Sequence, residues 1–265
     1  MLKDITLGQY VPGRSPVHRT DARVKLLLGM ALAVSVFLVD GWPGYGVMAA
    51  YVLAAAALSG LPLSYVLRGI RPVAFLVVLT VVLHVLFTPG TPLWRLGPVQ
   101  VSAEGLDTAL RLAVRLILLA AGLSIITLTT SPVAMTDALE WLLGPGRRLG
   151  VPAHEIAMMT TIALRFIPTL AEELDRIIKA QMARGADFET GGPLRRARAL
   201  VPVLVPLFLS AFRRADELSV AMESRCYRGA EGRTRWRSAG RFDARDWAVL
   251  VASLLVMIGA GWAWR

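Results

Sequence analysis

Reactive side chains are scarce in this sequence. Cys226 is the single cysteine in 265 residues, which excludes an internal disulfide and a disulfide-stapled extracellular scaffold. Three histidines are scattered, and no cluster of His, Asp or Glu has ligand spacing, so no metal site is expected, for cobalt and nickel included. His18 has no second ligand near it and reads as a hydrogen-bonded turn residue, while His84, at the end of an apolar run, reads as a polar helix contact. There is no Gly-x-x-x-x-Gly-Lys-Ser/Thr loop, so the chain does not bind ATP in that way. No nucleophile–base motif is present, which argues against an integral-membrane enzyme. Short segments of alternating polarity are missing too, and that excludes a spanning β-barrel. The first residues lack a basic stretch, an apolar run and a small-residue cleavage site in succession, so no removed leader is expected.

Apolar sequence, by contrast, is plentiful. Hydrophobic residues make up 55% of the chain and mean hydropathy is +0.56, well above an ordinary soluble domain. Runs at 24–39, 44–60, 73–87 with its lead-in, 106–129 and 247–264 approach or exceed the ~20 residues that cross a bilayer. The expected fold is therefore all-α, a polytopic membrane protein with about five transmembrane helices. Trp42 and Tyr45 suit the interfacial belt. Arg68, Gly69, Arg71 and Pro72 read as a short basic connection, and 88–105 as a Pro/Gly-rich loop. The fourth span carries Asp107, Arg111 and Arg115 along one face, with Asp107 and Arg111 spaced to pair. Arg115 lies deeper, where an ionisable residue is either functional or a snorkelling or structural partner of a neighbouring helix.

Beyond residue 130 the texture changes. A short helix is expected over 136–143, stopped by Gly144-Pro-Gly, then two long ones over 154–185 and 193–225, with bends at Pro168, Pro202 and Pro206. The apolar run 199–212 is too short for a span, and Arg165 interrupts the run at 156–171. The net charge of +10 could suggest nucleic acid, but the basic residues flank apolar spans rather than form a patch interleaved with aromatics. Residues 131–245 hold 18 of the 29 lysines and arginines, the N-terminal segment five more, and the 88–105 loop only Arg95. The positive-inside bias then sets the long helices and the N-terminus on the cytoplasmic side and the C-terminus outside. Three regions follow: 1–130 with four spans, 131–245 with the cytoplasmic-face helices, and 246–265 with the last span.

Two stretches organise the second region. Leu170-Ala-Glu-Glu-Leu-Asp-Arg-Ile-Ile-Lys-Ala-Gln-Met-Ala-Arg-Gly185 sets Leu170, Leu174, Ile177 and Ile178 on one stripe. Glu172 with Arg176, and Asp175 with Lys179, form i,i+4 pairs on the other face. At an offset of 41 residues Asp216 answers Asp175, Leu218 answers Ile177, Ala221 answers Ala180 and Arg225 answers Arg184. Each helix thus stops on an arginine between small residues: Ala183-Arg184-Gly185 and Ser224-Arg225-Cys226. Such a fork can enter a groove and grip a carboxylate through two parallel hydrogen bonds.

Leu164-Arg-Phe-Ile-Pro-Thr-Leu170 with Glu-Glu-x-Asp-Arg and Ala180-Gln-x-Ala-Arg-Gly185 resembles the transmembrane T component of energy-coupling factor (ECF) transporters, the CbiQ/EcfT family. Pro206-Leu-Phe-Leu-Ser-Ala-Phe-Arg-Arg-Ala-Asp-Glu-Leu218, Ala221-Met-Glu-Ser-Arg-Cys-Tyr-Arg-Gly229 and the opening Ser15-Pro-x-His-Arg-x-Asp-x-Arg-x-Lys-Leu-Leu27 are similar to that family as well. The resemblance implies that Ala183, Arg184, Gly185, Ser224, Arg225 and Cys226 dock two ABC-type ATPase subunits, with Pro168 and Pro206 as hinges. It also implies a separate small membrane protein, the S component, that captures a vitamin or metal ion. The implied location is a prokaryotic cytoplasmic membrane, and no cofactor or nucleic-acid partner is implied. Ser-Arg-Cys departs from the usual Ala-Arg-Gly of the second motif, so a different helix-end geometry is expected there. A conventional ABC permease that binds its own substrate would also dock helices on ATPases and is the alternative reading.

Overall fold

The computed structural model describes residues 10–96, 99–188, 192–229 and 242–263. The last span's expected end at Trp264 lies outside the described residues. The described residues fall into two compact units, one of 10–138 with 242–263, the other of 139–229.

The first unit starts with a capped turn. Ser15 accepts the His18 amide at the start of α1 (Pro16–Arg19). His18 is held on both ring nitrogens, taking the Ser15 hydroxyl at 2.6 Å and donating to the Val11 carbonyl at 2.9 Å. This is the turn role expected of it. Asp21 then caps α2 (Ala22–Leu38), and α3 (Trp42–Ser59) closes on Gly60 in the left-handed region. α4 (Leu63–Phe87) is followed by a hairpin of β1 (Pro92–Leu96) and β2 (Val99–Ser102), with an irregularity between Pro92 and Trp94. α5 (Ala103–Thr129) starts on a Ser102 cap, and α9 (Ala244–Ala263) completes the unit.

Helix α5 is its hub, packed against α2, α3 and α4, while α9 lies on α2 and α3. Leu32, Val36, Met48, Val52, Leu118, Ile125 and Met257 form the buried centre. Gly122 is there because a Cβ would stand 2.2 Å from Leu32 Cδ2. His84 donates to the Thr80 carbonyl one turn back, a polar helix contact as expected.

Three expectations are corrected. Arg68, Gly69, Arg71 and Pro72 are not a connection, because α4 runs through them without a break. Gly69 serves packing: a Cβ would meet Ser124 Oγ of α5 at 2.2 Å, so its lack of side chain lets the two helices approach. The stretch 88–105 is not all loop, since it holds the hairpin and the first turn of α5. Tyr45 is buried rather than interfacial, bonded through its hydroxyl to Arg115.

Among the described residues α3, Ser64–Phe87 of α4, α5 and Ala244–Trp262 of α9 are long and apolar enough to cross a membrane. The remaining expected span, α2, has 17 residues, the lower end of the usual spanning length of about 17–25. The chain is an all-α polytopic membrane protein, with one small hairpin among the described residues.

The boundary between the units falls within α6 (Pro132–Leu143). A 3-10 turn over Gly144–Leu149 leads to α7 (Ala153–Ala183) and α8 (Pro193–Ser224), which pack on each other. Glu140, 6% exposed, is anchored by His154 at 3.2 Å. The Leu170, Leu174, Ile177 and Ile178 stripe is half-buried, and Glu172–Arg176 (3.7 Å) and Asp175–Lys179 (2.6 Å) pair on the open face.

Candidate functional site

Both arginine-tipped helices end in the same backbone motif. At the end of α7, Arg184 is the C-cap residue with φ −88° and ψ 8°, and Gly185 follows at φ +87°. The Gly185 amide donates to the Met182 carbonyl and the Ala186 amide to Gln181, both at 2.9 Å. At the end of α8, Arg225 has φ −92° and ψ 13°, and Cys226 follows at φ +56°. There the Cys226 amide donates to Glu223 at 2.9 Å and the Tyr227 amide to Met222 at 3.0 Å. These are the 5→2 and 6→1 bonds of a Schellman motif, which satisfy the last helix carbonyls.

The expected departure in geometry at Ser224-Arg225-Cys226 therefore does not occur. Cys226 adopts the left-handed conformation that glycine adopts at 185, against the Cβ penalty. Ser224 closes its own turn through a hydroxyl bond to the Ala221 carbonyl. Nothing lies within 4 Å of where a Cβ on Gly185 would stand, so φ alone calls for glycine there.

Ala183, Arg184, Gly185, Ser224, Arg225 and Cys226 are all exposed. Neither guanidinium has a side-chain partner among the described residues. Each stands at a helix C-terminus, where the dipole favours a cation. Both forks are thus presented, uncommitted, on helix ends of one shape.

An ion pair links the two helices. Arg214 of α8 reaches Glu173 of α7 at 3.8 Å, and these two positions correspond under the 41-residue offset. From this pair each helix runs 11 residues to its arginine, about 16 Å at helical rise. Four residues past Arg214, Leu218 faces a cavity shared with Ala157, Ile162 and Phe166, all N-terminal to Glu173 on α7. The helices therefore cross in opposite senses, and the two arms leave the crossing in opposite directions with equal lengths.

Pro168 lies inside α7, and Pro202 and Pro206 inside α8. Each removes one ladder donor, leaving the carbonyls of Leu164, Arg198 and Pro202 without their usual helical partner. About 24 Å of helix separates Pro168 from Arg184 and about 28 Å separates Pro206 from Arg225. Along α8, Val201, Leu204, Val205, Phe208 and Phe212 are exposed and apolar.

Away from these ends, Arg111 and Arg115 hold the C-terminal end of α2. Arg111 pairs with Asp107 at 2.7 Å and donates to the Asp40 carbonyl. Arg115 donates to the Val39 carbonyl at 3.2 Å and the Tyr45 hydroxyl at 2.9 Å. These contacts tie α5 to the end of α2 and the start of α3. Lys25, 5% exposed, donates to the Thr129 carbonyl at 2.9 Å and so places a cation on the C-terminus of α5. Its partner is a main-chain oxygen 104 residues away, which no local pattern announces. Among the described residues no three His, Cys, Asp or Glu gather as a metal site.

Known proteins share this sequence over most of its length. Residues 13–236 match the family model CbiQ, described as cobalt transport protein. A protein of Thermosediminibacter oceani is 52% identical over 98% of this chain and 97% of its own length. One from Heliobacterium modesticaldum is 52% identical (95% and 94%), and one from Thermanaerovibrio acidaminovorans is 53% identical (93% and 91%). All three are named energy-coupling factor transporter transmembrane protein EcfT. The chain belongs to the CbiQ family, in its energy-coupling factor transporter transmembrane branch.

Proposed function

We propose that this chain is the coupling component of an ECF-type importer and carries ATP-driven movement from two partner ATPases to a separate substrate-capture membrane protein. Residues 1–130 and 246–265 would form the membrane part and 131–245 the coupling region. The observation that carries the reading is the pair of arginine ends: one backbone motif twice, on arms of equal length about an ion-paired crossing. Two equivalent tips suit two equivalent grooves on an ATPase pair. When ATP closes that pair the grooves approach, the tips follow, and the crossed helices carry the displacement toward the membrane. Pro168 and Pro206 supply the points where the levers bend. ATP hydrolysis resides on the partners, and the chain itself is not an enzyme.

The exposed apolar stripe from Val201 to Phe212 on α8 supports a position at the cytoplasmic membrane face, in contact with acyl chains or with the capture protein. The basic residues of the 131–245 region support a cytoplasmic N-terminus. Cargo selection belongs to the capture protein, with a vitamin or a transition-metal ion as substrate.

Co-purification in detergent tests the reading. The wild-type chain should retain both ATPases, and Arg184→Ala with Arg225→Ala should lose them or lose uptake in proteoliposomes. Arg184→Lys with Arg225→Lys should recover only part, because lysine lacks the bidentate fork. Full assembly and full uptake in the double alanine variant would overturn the proposal.

A further inference from the structure

The bundle end that carries α1 and the start of α9 holds an apolar slot opening onto a basic rim. The slot, about 380 Å³, lies between α2, α3, α5 and α9 and is walled by Leu28, Tyr51, Ala55, Ile125, Ala252 and Val256. A second cavity of about 630 Å³ adjoins it and shares Pro16, Thr20 and Val249 with its lining. Three arginines, Arg14, Arg19 and Arg245, line this outer cavity. They are exposed, and their guanidinium groups have no ion-pair or hydrogen-bond partner among the described residues.

Two carboxylates share the rim. Asp246 is turned to the main chain, accepting the Asp21 amide at 3.1 Å and the Asp243 amide at 3.2 Å; Asp243 is the other. Lys25 stands in the slot wall with its ammonium on the Thr129 carbonyl rather than on a carboxylate. Basic residues next to a spanning helix attract anionic lipid headgroups, by about 1 kcal/mol for each lysine or arginine.

From the apolar slot and its arginine rim at one end of the spanning bundle we infer a binding site for an anionic glycerophospholipid, its phosphate among Arg14, Arg19 and Arg245 and an acyl chain in the slot. One lipid supplies both chemistries. A free phosphate satisfies only the rim, and a neutral lipid only the slot. The site rests on the membrane-spanning character of the bundle and is independent of ATPase docking.

Native mass spectrometry of the full chain in detergent decides it. With dioleoyl-phosphatidylglycerol and dioleoyl-phosphatidylcholine offered at equal concentration, the wild type should retain the anionic lipid preferentially. Each Arg→Gln change at 14, 19 or 245 should weaken that retention roughly fivefold and leave phosphatidylcholine unaffected. Ala252→Phe, which fills the slot from an exposed position, should reduce retention of both lipids. Equal retention of the two lipids by the wild type overturns the inference, as does unchanged phosphatidylglycerol binding in Arg245→Gln. Glycerol 1-phosphate bound as tightly as the whole lipid overturns it too, because the slot would then be idle. Should Ala252→Phe fail to fold, the wild-type comparison and Arg245→Gln alone still decide.

Discussion

Arg184 and Arg225 end their helices alike although glycine follows one and cysteine the other. Cys226 carries the cost, since a side chain at φ +56° crowds its own backbone by about 1 kcal/mol or more. Cys226→Gly should therefore raise the thermal midpoint of the detergent-solubilised chain, by an amount equivalent to about 1 kcal/mol, with ATPase capture retained. Cys226→Val should lower it, since a β-branched side chain tolerates the left-handed region least. Fluorescence-detected melting of the three proteins is the measurement, and a midpoint unmoved by glycine would refute the strain. At this scale the arginines were legible because the 41-residue repeat falls on them. The φ of Cys226 was not, because cysteine has no preference for left-handed backbone, so helix closure there is imposed by the Schellman bonds. Arg111 and Arg115 were half-legible. The Asp107–Arg111 pair was readable from its spacing, but their other partners are carbonyls and a hydroxyl 70 or more residues away.

Among the elements, α7 and α8 were read to within two residues at each end, because proline or its neighbour opens them and an arginine with a turn residue closes them. α4 was misread. Gly69 and Pro72 are breakers by local rule, yet Gly69 is where α5 comes closest and Pro72 is accommodated within a helix that packs extensively on α5. Tertiary packing overrode propensity there. The hairpin over 92–102 was missed because its strands have five and four residues and lie beside a proline. The Glu173–Arg214 crossing was missed for another reason: the repeat aligns these positions but does not tell that they touch. Both side chains are about a third exposed, so the pair contributes at most about 1 kcal/mol, and its expected role is register. Glu173→Arg or Arg214→Glu alone puts like charges at the crossing and should lower ATP-driven uptake severalfold while the complex still assembles. The exchanged pair, Glu173→Arg with Arg214→Glu, should recover most of it. Additive losses in the double variant would mean that the two residues act separately.

For the whole molecule, membrane class and helical architecture follow from composition and run length, whereas orientation rests on charge alone. The 18 basic residues of 131–245 set against one in 88–105 predict that the two arginine ends face the cytoplasm. The chain contains its own reporter for this. Cys226 is its only cysteine, is exposed, and adjoins Arg225. A membrane-impermeant maleimide should therefore label the unmodified protein in inverted vesicles and leave it unlabelled in intact cells, with Cys226→Ser as the blank. Docked ATPases should slow the labelling in inverted vesicles, because a groove that grips Arg225 covers the neighbouring residue. Dissociating the ATPases should restore it, and Arg225→Ala should remove the protection without changing the side that labels. Orientation and docking are thus read from one atom but fail separately. Labelling in intact cells would reverse the orientation, whereas cytoplasmic labelling that ignores bound ATPases would leave the orientation standing and move the contact away from Arg225.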